Sequence, residues 1–165
     1  MEDGHLKNFL LPKMTTKYLV RVAIVAVLAY LVFGHLCIPA RLSGSSMEPI
    51  YHDGGINFCW TPSYWFKSPK RGDVVMVRLA GKKIMFLKRI VALEGETVEF
   101  RDGNILINGK ELNEPYVRFP CDWNLPPRKV ETGNVYVVGD NRDMNIDSHV
   151  FGQTSARRIA GRPLW

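Results

Sequence analysis

Three short stretches hold residue types and spacings that could do chemistry. In SGSSMEP, residues 43–49, Ser46 stands in a turn of small residues. A serine hydroxyl becomes an effective nucleophile only when a neighbouring base takes its proton. Gly44 lets the backbone approach a ligand closely, and consecutive N–H groups around Ser45 and Ser46 can stabilise an oxyanion. Ser and Gly fill ordinary loops just as readily, so this stretch alone assigns nothing.

In FLKRIVAL, residues 86–93, Lys88 interrupts an apolar strand. Alternation puts Phe86, Lys88 and Ile90 on one face and Leu87, Arg89 and Val91 on the other, so the ammonium shares its face with bulky hydrophobes. Burial there disfavours the charged form and leaves an amine able to accept a serine proton. The bland reading is a lysine whose stem covers apolar surface while its head reaches water. The third stretch, GDNRDMNIDSHVFG at 139–152, is a polar loop after the apolar run NVYVV. Asp140, Asn141, Asp143 and Asp147 can bond turn backbones. As a calcium loop it fails, having no Gly at the sixth position and no acid at the twelfth.

The elements that must position these residues are mainly strands. GDVVMVRL (72–79), KIMFLKRIVAL (83–93), ETVEFR (96–101), NILING (104–109) and NVYVVGD (134–140) have the length and composition of strands. Asp102-Gly103 and Asn108-Gly109 predict tight hairpin turns, because glycine reaches positive φ at no steric cost. The proline-bearing stretch 111–130 reads as a long excursion between two parts of one sheet, and a short turn is expected near Thr154 to Arg158.

Ahead of this β-rich region, residues 22–40 contain no Asp, Glu, Lys or Arg. A helix needs about 20 mostly apolar residues to cross the hydrocarbon core, which makes this a transmembrane segment with Arg21 snorkelling at one end and Pro39 at the other. A cleavable secretory signal shares the basic start and apolar run, but this run is longer than a usual signal core and lacks a clean small-x-small site. The chain therefore divides into a cytoplasmic segment 1–17, a transmembrane helix 18–39 and a translocated domain 40–165. Lys7, Lys13, Lys17 and Arg21 precede most of the apolar run, which places the N-terminus inside.

The formal net charge is +6, and half of that surplus flanks the apolar segment. The remaining bases are dispersed, which argues against a nucleic-acid partner. Cys59 and Cys121 read as free, partly buried thiols, with pairing between them open in an oxidising compartment. No pair of Cys or His residues has the short spacing of a zinc site. The segment INFCWTPSYWF, 56–66, is dense in aromatics, and Trp60, Tyr64, Trp65 and Phe66 suit either the interfacial layer of a bilayer or the core.

Taken together, Ser46-Met47-Glu48-Pro49, Lys88-Arg89 after Gly72-Asp73, and Gly139-Asp140-Asn141 followed by Asp147, Ser148 and Gly152 resemble the boxes of the type I signal peptidases. These are Ser/Lys serine proteases that release exported proteins from their signal sequences. The resemblance runs from about Leu42 to Pro163, with the anchor in the expected place. It implies a mainly β fold, a single sheet-rich catalytic domain behind one N-terminal transmembrane helix. It further implies that Ser46 is the nucleophile, Lys88 the base, and Gly44, Ser45, Arg89, Asp140, Asn145 and Asp147 the oxyanion-hole and supporting residues. No metal or other cofactor is needed.

By the same resemblance, small residues precede the cut, held in shallow pockets for which Leu42, Met47, Phe86 and Leu87 are the best matches. The partners implied are signal-peptide-bearing precursors and membrane lipid, at the outer face of the plasma membrane. An extended substrate is expected beside the 83–93 strand. Two positions depart from the pattern. Asn145 stands where many relatives have a serine touching the lysine, and it can offer an amide oxygen there. His149 replaces an arginine, so pairing with Asp147 or Asp140 would depend on pH. Two other readings keep the fold: a dedicated processing protease for one exported pilin or secretion component, and an impaired, membrane-anchored binding module. The presence of both Ser46 and Lys88 speaks against the latter.

Overall fold

The computed structural model describes residues 14–80, 84–118 and 121–165. Residues 1–13, with Lys7 and Lys13, and the positions of Lys83 and Pro120 lie outside the described residues. The first described element is α1, Thr16–Leu31, whose first turn is capped by Thr15 Oγ1 accepting from the Tyr18 amide. A π-helical turn, Val32–Leu36, continues it. The 21 residues of Thr16–Leu36 rise about 31 Å, the thickness of a hydrocarbon core, and none of α1 is buried by the rest of the chain. The helix thus starts earlier and ends sooner than the 18–39 span expected. Cys37 and Pro39 belong instead to β1, Cys37–Arg41, whose outer edge tolerates a proline that donates no ladder bond.

The rest is β structure in two sheets. The larger holds seven strands in the order β1, β2 (Ile56–Trp60), β11 (Ile159–Pro163), β3 (Val74–Ala80), β4 (Ile84–Ala92), β9 (Asn134–Val138) and β10 (Gly152–Ser155). The smaller holds β7 (Lys110–Glu111), β6 (Asn104–Ile107), β5 (Thr97–Arg101) and β8 (Leu125–Lys129). Both expected hairpins form. Asp102 and Gly103, at φ 48° and 80°, join Arg101 to its partner Asn104, and Asn108 and Gly109, at 52° and 78°, join β6 to β7. Stretch 111–130 does run between two parts of one sheet, leaving β7 at one edge of the smaller sheet and returning at the other. It supplies β8 to the smaller sheet, pairing with β5, before the chain returns to the larger one as β9.

Three apolar clusters hold these layers. Val91, Ala92, Tyr136 and Val138 of the larger sheet pack on Val98, Phe100, Ile105 and Trp123, fixing the small sheet against it. Val75, Val77, Ile90, Val135 and Val137 form a second cluster. A third, of Met47, Cys59, Met76, Met85, Leu87 and Ala160, lies under the 43–49 turn. Burying each such side chain is worth roughly 1.5–3 kcal/mol, so the turn rests on a stiff floor. Cys37, Cys59 and Cys121 are all free thiols.

Candidate active site

Ser46 enters the site on a turn that follows β1. The Leu42 amide donates to the Gly55 carbonyl at 2.8 Å, and within the turn Glu48 N–H donates to Ser45 O at 3.1 Å and Tyr51 N–H to Met47 O at 3.1 Å. Gly44 has φ 93°, a conformation that favours glycine. Its N–H donates to Asp53 Oδ1 at 2.8 Å, so Gly44 shapes the turn and its amide is already spent. The amides of Ser45 and Ser46 have no acceptor among the described residues and remain free to donate. Ser45 Oγ points elsewhere, toward Met144 Sδ at 3.6 Å.

Lys88 reaches the same point from β4. Register places it opposite Val75 of β3, on the face where Val75 and Ile90 are fully buried, and Lys88 itself is 3 % exposed. Its Nζ donates a hydrogen bond to Ser46 Oγ and lies 5.9 Å from the centre of the Phe86 ring. Burial lowers the Lys88 pKa to about 8, with the charge of Asp140 opposing that shift. The alternation argument therefore holds, and the snorkelling alternative does not: the ammonium is inside, against an aromatic face and a hydroxyl.

A frame of paired charges surrounds this contact. Asp140, buried, accepts from Arg89 Nε at 2.8 Å and Nη2 at 2.6 Å, while Arg89 Nη1 donates to the Gly72 carbonyl at 2.7 Å. The Arg89 guanidinium lies 3.8 Å over the Tyr116 ring. A fork on a carboxylate satisfies both partners and fixes their relative orientation. Asn141 then ties this loop to the serine turn: its N–H donates to Ser46 O at 2.9 Å and its Nδ2 to Ser45 O at 3.1 Å. Gly139 is wedged behind, where a Cβ would stand 2.1 Å from Ser46 O and 2.8 Å from the His149 ring.

The two departures in the loop resolve differently from expectation. Asn145 is exposed, and its amide oxygen accepts from the Asp147 N–H at 2.9 Å, capping the short 3-10 turn Ile146–Ser148 instead of reaching the lysine. Asp147 is likewise exposed and serves that turn. His149 is neither a surface residue nor an acid's partner. It is buried edge-on against Trp123, with ring centres 4.9 Å apart, and its Nε2 accepts from the Gly139 N–H at 2.9 Å. Accepting at Nε2 requires the neutral ring, and burial, followed by the charges of Lys88 and Arg142, lowers its pKa to about 3.

Of the residues expected to line substrate pockets, Leu42, Met47 and Leu87 meet beside Ser46, with Tyr51, around a crevice of only about 10 Å³. Phe86 lies on the amine side of Lys88 and does not line it. Sequence reasoning also missed Arg142 and Glu114. Arg142 is buried, donating from Nε to Gly139 O at 2.7 Å and from Nη2 to Glu114 Oε1 at 2.6 Å. An arginine flanked by Asn141 and Asp143 in a polar loop looks solvated, and nothing local points to a carboxylate 28 positions away.

Comparison with known proteins finds counterparts along nearly the whole chain. The sequence model described as "Signal peptidase, peptidase S26" matches residues 15–165. Signal peptidase I of Bacillus licheniformis is 34% identical over 151 residues, 85% of this chain and 81% of that one. Signal peptidase I T of Bacillus subtilis is 34% identical over 163 residues, 90% of this chain and 84% of its own. The crystal structure of a signal peptidase I from Enterococcus faecalis superposes with a TM-score of 0.46 at 29% identity, over 58% of this chain and 97% of that chain.

Proposed function

The chain belongs to the signal peptidase family, peptidase S26, as a serine peptidase of signal peptidase I type, and from that we propose that Ser46 and Lys88 are its catalytic dyad, acting on membrane-exported precursors. The observation that carries this reading is the hydrogen bond from Lys88 Nζ to Ser46 Oγ in a buried, apolar setting. Once the amine loses its proton, the same contact lets its lone pair accept the hydroxyl proton as Oγ attacks the scissile carbonyl.

The resulting oxyanion is held by backbone N–H donors of the 45–46 turn, whose carbonyls Asn141 keeps directed away from it. Collapse expels the amine of the mature chain, protonated by Lys88, and leaves an ester on Ser46. Lys88 then takes a proton from water, hydroxide attacks the ester, and Ser46 regains its hydroxyl. No cofactor enters these steps.

Substrate placement follows from sheet topology. β4 is an inner strand, so an extended peptide cannot lie along all of it. Its partners on β9 are taken up from Arg89 onward, which leaves the Ile84–Lys88 edge open on that side. Main-chain pairing there would bring the peptide past Leu87 and the crevice beside Ser46, whose small volume favours small side chains.

Thr16–Leu36 is read as a membrane anchor with the N-terminus cytoplasmic and residues 40–165 translocated. Its support is the apolar surface left uncovered all round the helix and the basic residues before and at its start.

The test is cleavage of a model precursor in detergent by wild type, Ser46→Ala and Lys88→Ala. Each substitution should remove at least about three orders of magnitude of activity, and the double variant should be no worse, because the two groups act as a unit. Full activity in either single variant refutes the dyad. Activity of the wild type should rise with pH to a plateau with a midpoint near 8, where Lys88 deprotonates. A flat profile across that range would exclude the lysine as base.

A further inference from the structure

Beside the end of the apolar helix lies a cavity of about 770 Å³ that no step of cleavage uses. Its floor is the chain leaving the helix, at Gly34, His35 and Ile38, and its walls are the 61–69 segment and residues 156–160. The depth of the cavity relative to the helix is fixed, because Thr61 Oγ1 donates to His35 O at 2.8 Å and Leu36 O at 3.3 Å. The opening therefore sits where the helix would leave the hydrocarbon.

Three cations line this cavity, Lys67, Arg78 and Arg157, and no Asp or Glu does. Arg78 projects from β3 and is half-buried, and its Nε is buried with no hydrogen-bond partner among the described residues. A buried guanidinium N–H without an acceptor is costly unless an oxygen ligand supplies one. Trp65 and Ile38 line the same space, and a neighbouring cavity of about 570 Å³ shares Lys67 and is walled by Trp60, Phe66 and Leu164. Cations thus stand beside an apolar, aromatic shelf, which is the layout of a headgroup site with its acyl chains alongside.

We propose that this cavity binds the phosphate of an anionic glycerophospholipid in the leaflet next to the catalytic domain. Arg78 and Arg157 supply guanidinium donors that can fork onto phosphate oxygens, and Lys67 at the lip supplies a point charge. The lipid tails lie over Trp60, Phe66 and Leu164. An acidic peptide would meet the same charges but not the apolar shelf or the depth at the helix end. Such a lipid would clamp the catalytic domain at one height and rotation above the bilayer. The inference rests on Thr16–Leu36 crossing the membrane.

The full chain is reconstituted into phosphatidylcholine nanodiscs containing a minor fraction of phosphatidylglycerol, and retained lipid is identified by native mass spectrometry. Wild type should retain phosphatidylglycerol preferentially. Combined Lys67→Gln, Arg78→Gln and Arg157→Gln should reduce that preference about tenfold or more without changing phosphatidylcholine retention. If Arg78→Gln prevents folding, Lys67→Gln with Arg157→Gln, both exposed, should still reduce it several-fold. A charge-matched control, Lys110→Gln with Arg128→Gln and Lys129→Gln on the small sheet, should leave it intact.

No preference in wild type, or equal loss in the control, overturns the site. So does inorganic phosphate protecting detergent-solubilised wild type as well as phosphatidylglycerol does, since that assigns the cavity to a soluble anion. Failure of the anchoring reading would look different, as the chain would not enter the nanodisc at all. Cleavage of a detergent-solubilised precursor should be unchanged in every variant, because none of these residues touches the dyad.

Discussion

Around Ser46 the polar side chains are buried, whereas where β1, β2 and the 61–69 segment form the edge of the same sheet, large apolar side chains are exposed. Lys88, Asp140, Arg142 and His149 all sit inside, while Ile56, Trp65, Phe66 and Trp165 face outward, Phe66 at 96 % exposure. Each region inverts the usual partition, and each can do so for a different reason. The first survives because its charges are paired or hydrogen-bonded, Asp140 with Arg89 and Glu114 with Arg142. The second has no such compensation among the described residues, and an exposed apolar patch of this kind suits contact with an apolar surface outside the chain. Stability near the dyad should therefore be sensitive to single atoms, and stability at the edge should not.

Outside the dyad itself, the largest effect on rate is expected at Gly139. Adding one methyl group by Gly139→Ala puts a Cβ 2.1 Å from Ser46 O, and backbone, not a flexible tip, must yield. A displacement of the serine turn on the order of 1 Å should cost about a hundredfold in kcat. Kinetics on a soluble precursor would show it. Wild-type rates in this variant would mean that the polar frame does not position the nucleophile, and the contrast with the edge would lose its basis.

Next comes the buried ion pair. Asp140→Asn leaves the Arg89 guanidinium without its counter-charge, with Asp140 fully enclosed and Arg89 nearly so. Breaking such a pair costs about 3–5 kcal/mol, visible as a lower urea midpoint. It also removes the one charge that opposes the lowering of the Lys88 pKa, so the midpoint of the activity profile should move further down. A midpoint that moves up, or not at all, would show that Asp140 acts on structure alone.

These two sites also show what could be read from the chain and what could not. Lys88 was legible only in company with Ser46 and the 139–152 loop, since its strand alone equally allowed a lysine with its head in water, whereas the 102–103 and 108–109 turns were legible because glycine chemistry is local. β1 was not: Cys37 to Ala40 are apolar, and composition does not distinguish the end of a membrane helix from an edge strand paired with 57–60. β11, IAGRP, carries Gly and Pro and becomes a strand only because β2 and β3 flank it. Asn145 and His149 were misplaced for a related reason. Which way a loop side chain turns depends on contacts such as Trp123 against His149, 26 positions apart, that no local pattern records.

His149 supplies a smaller effect with a definite sign. Its folded pKa is depressed from the ordinary 6.5 to about 3, so below 6.5 the unfolded chain binds a proton that the folded chain refuses. Stability must then fall as pH drops below 6.5, by up to about 1.4 kcal/mol per unit until the folded pKa is reached. Above 6.5 the ring is neutral in both states and contributes no slope. His149→Gln can still accept from the Gly139 N–H but does not titrate, so its stability should decline less than wild type between pH 6.5 and about 5. Urea titrations of the two at a series of pH values would measure this. Identical slopes would mean that His149 protonates freely in the folded protein and is not enclosed as the structure has it.

The smallest effect on stability belongs to the edge, and it sharpens the comparison most. Phe66→Ser changes a side chain that touches almost nothing, so unfolding in detergent should shift by less than about 0.5 kcal/mol. Tyr64, two residues earlier, suits the bilayer surface or the core by composition, and the structure gives it the core side: its hydroxyl donates to Asp73 Oδ2 at 2.9 Å and it packs against the cluster of Val75, Val77, Ile90, Val135 and Val137. Tyr64→Phe should therefore cost stability, about 1 kcal/mol for the half-buried bond, and leave lipid contact alone. Phe66→Ser should do the reverse: the wild-type blue shift of tryptophan emission on adding vesicles to protein lacking residues 1–36 should shrink, if that fragment folds by circular dichroism. In the intact chain the same difference can be read as reduced quenching of Trp65 by brominated lipid. If Phe66→Ser destabilises as Tyr64→Phe does, its ring is covered by protein. The exposed edge would then be an ordinary part of the core and would not suit contact with an apolar surface outside the chain.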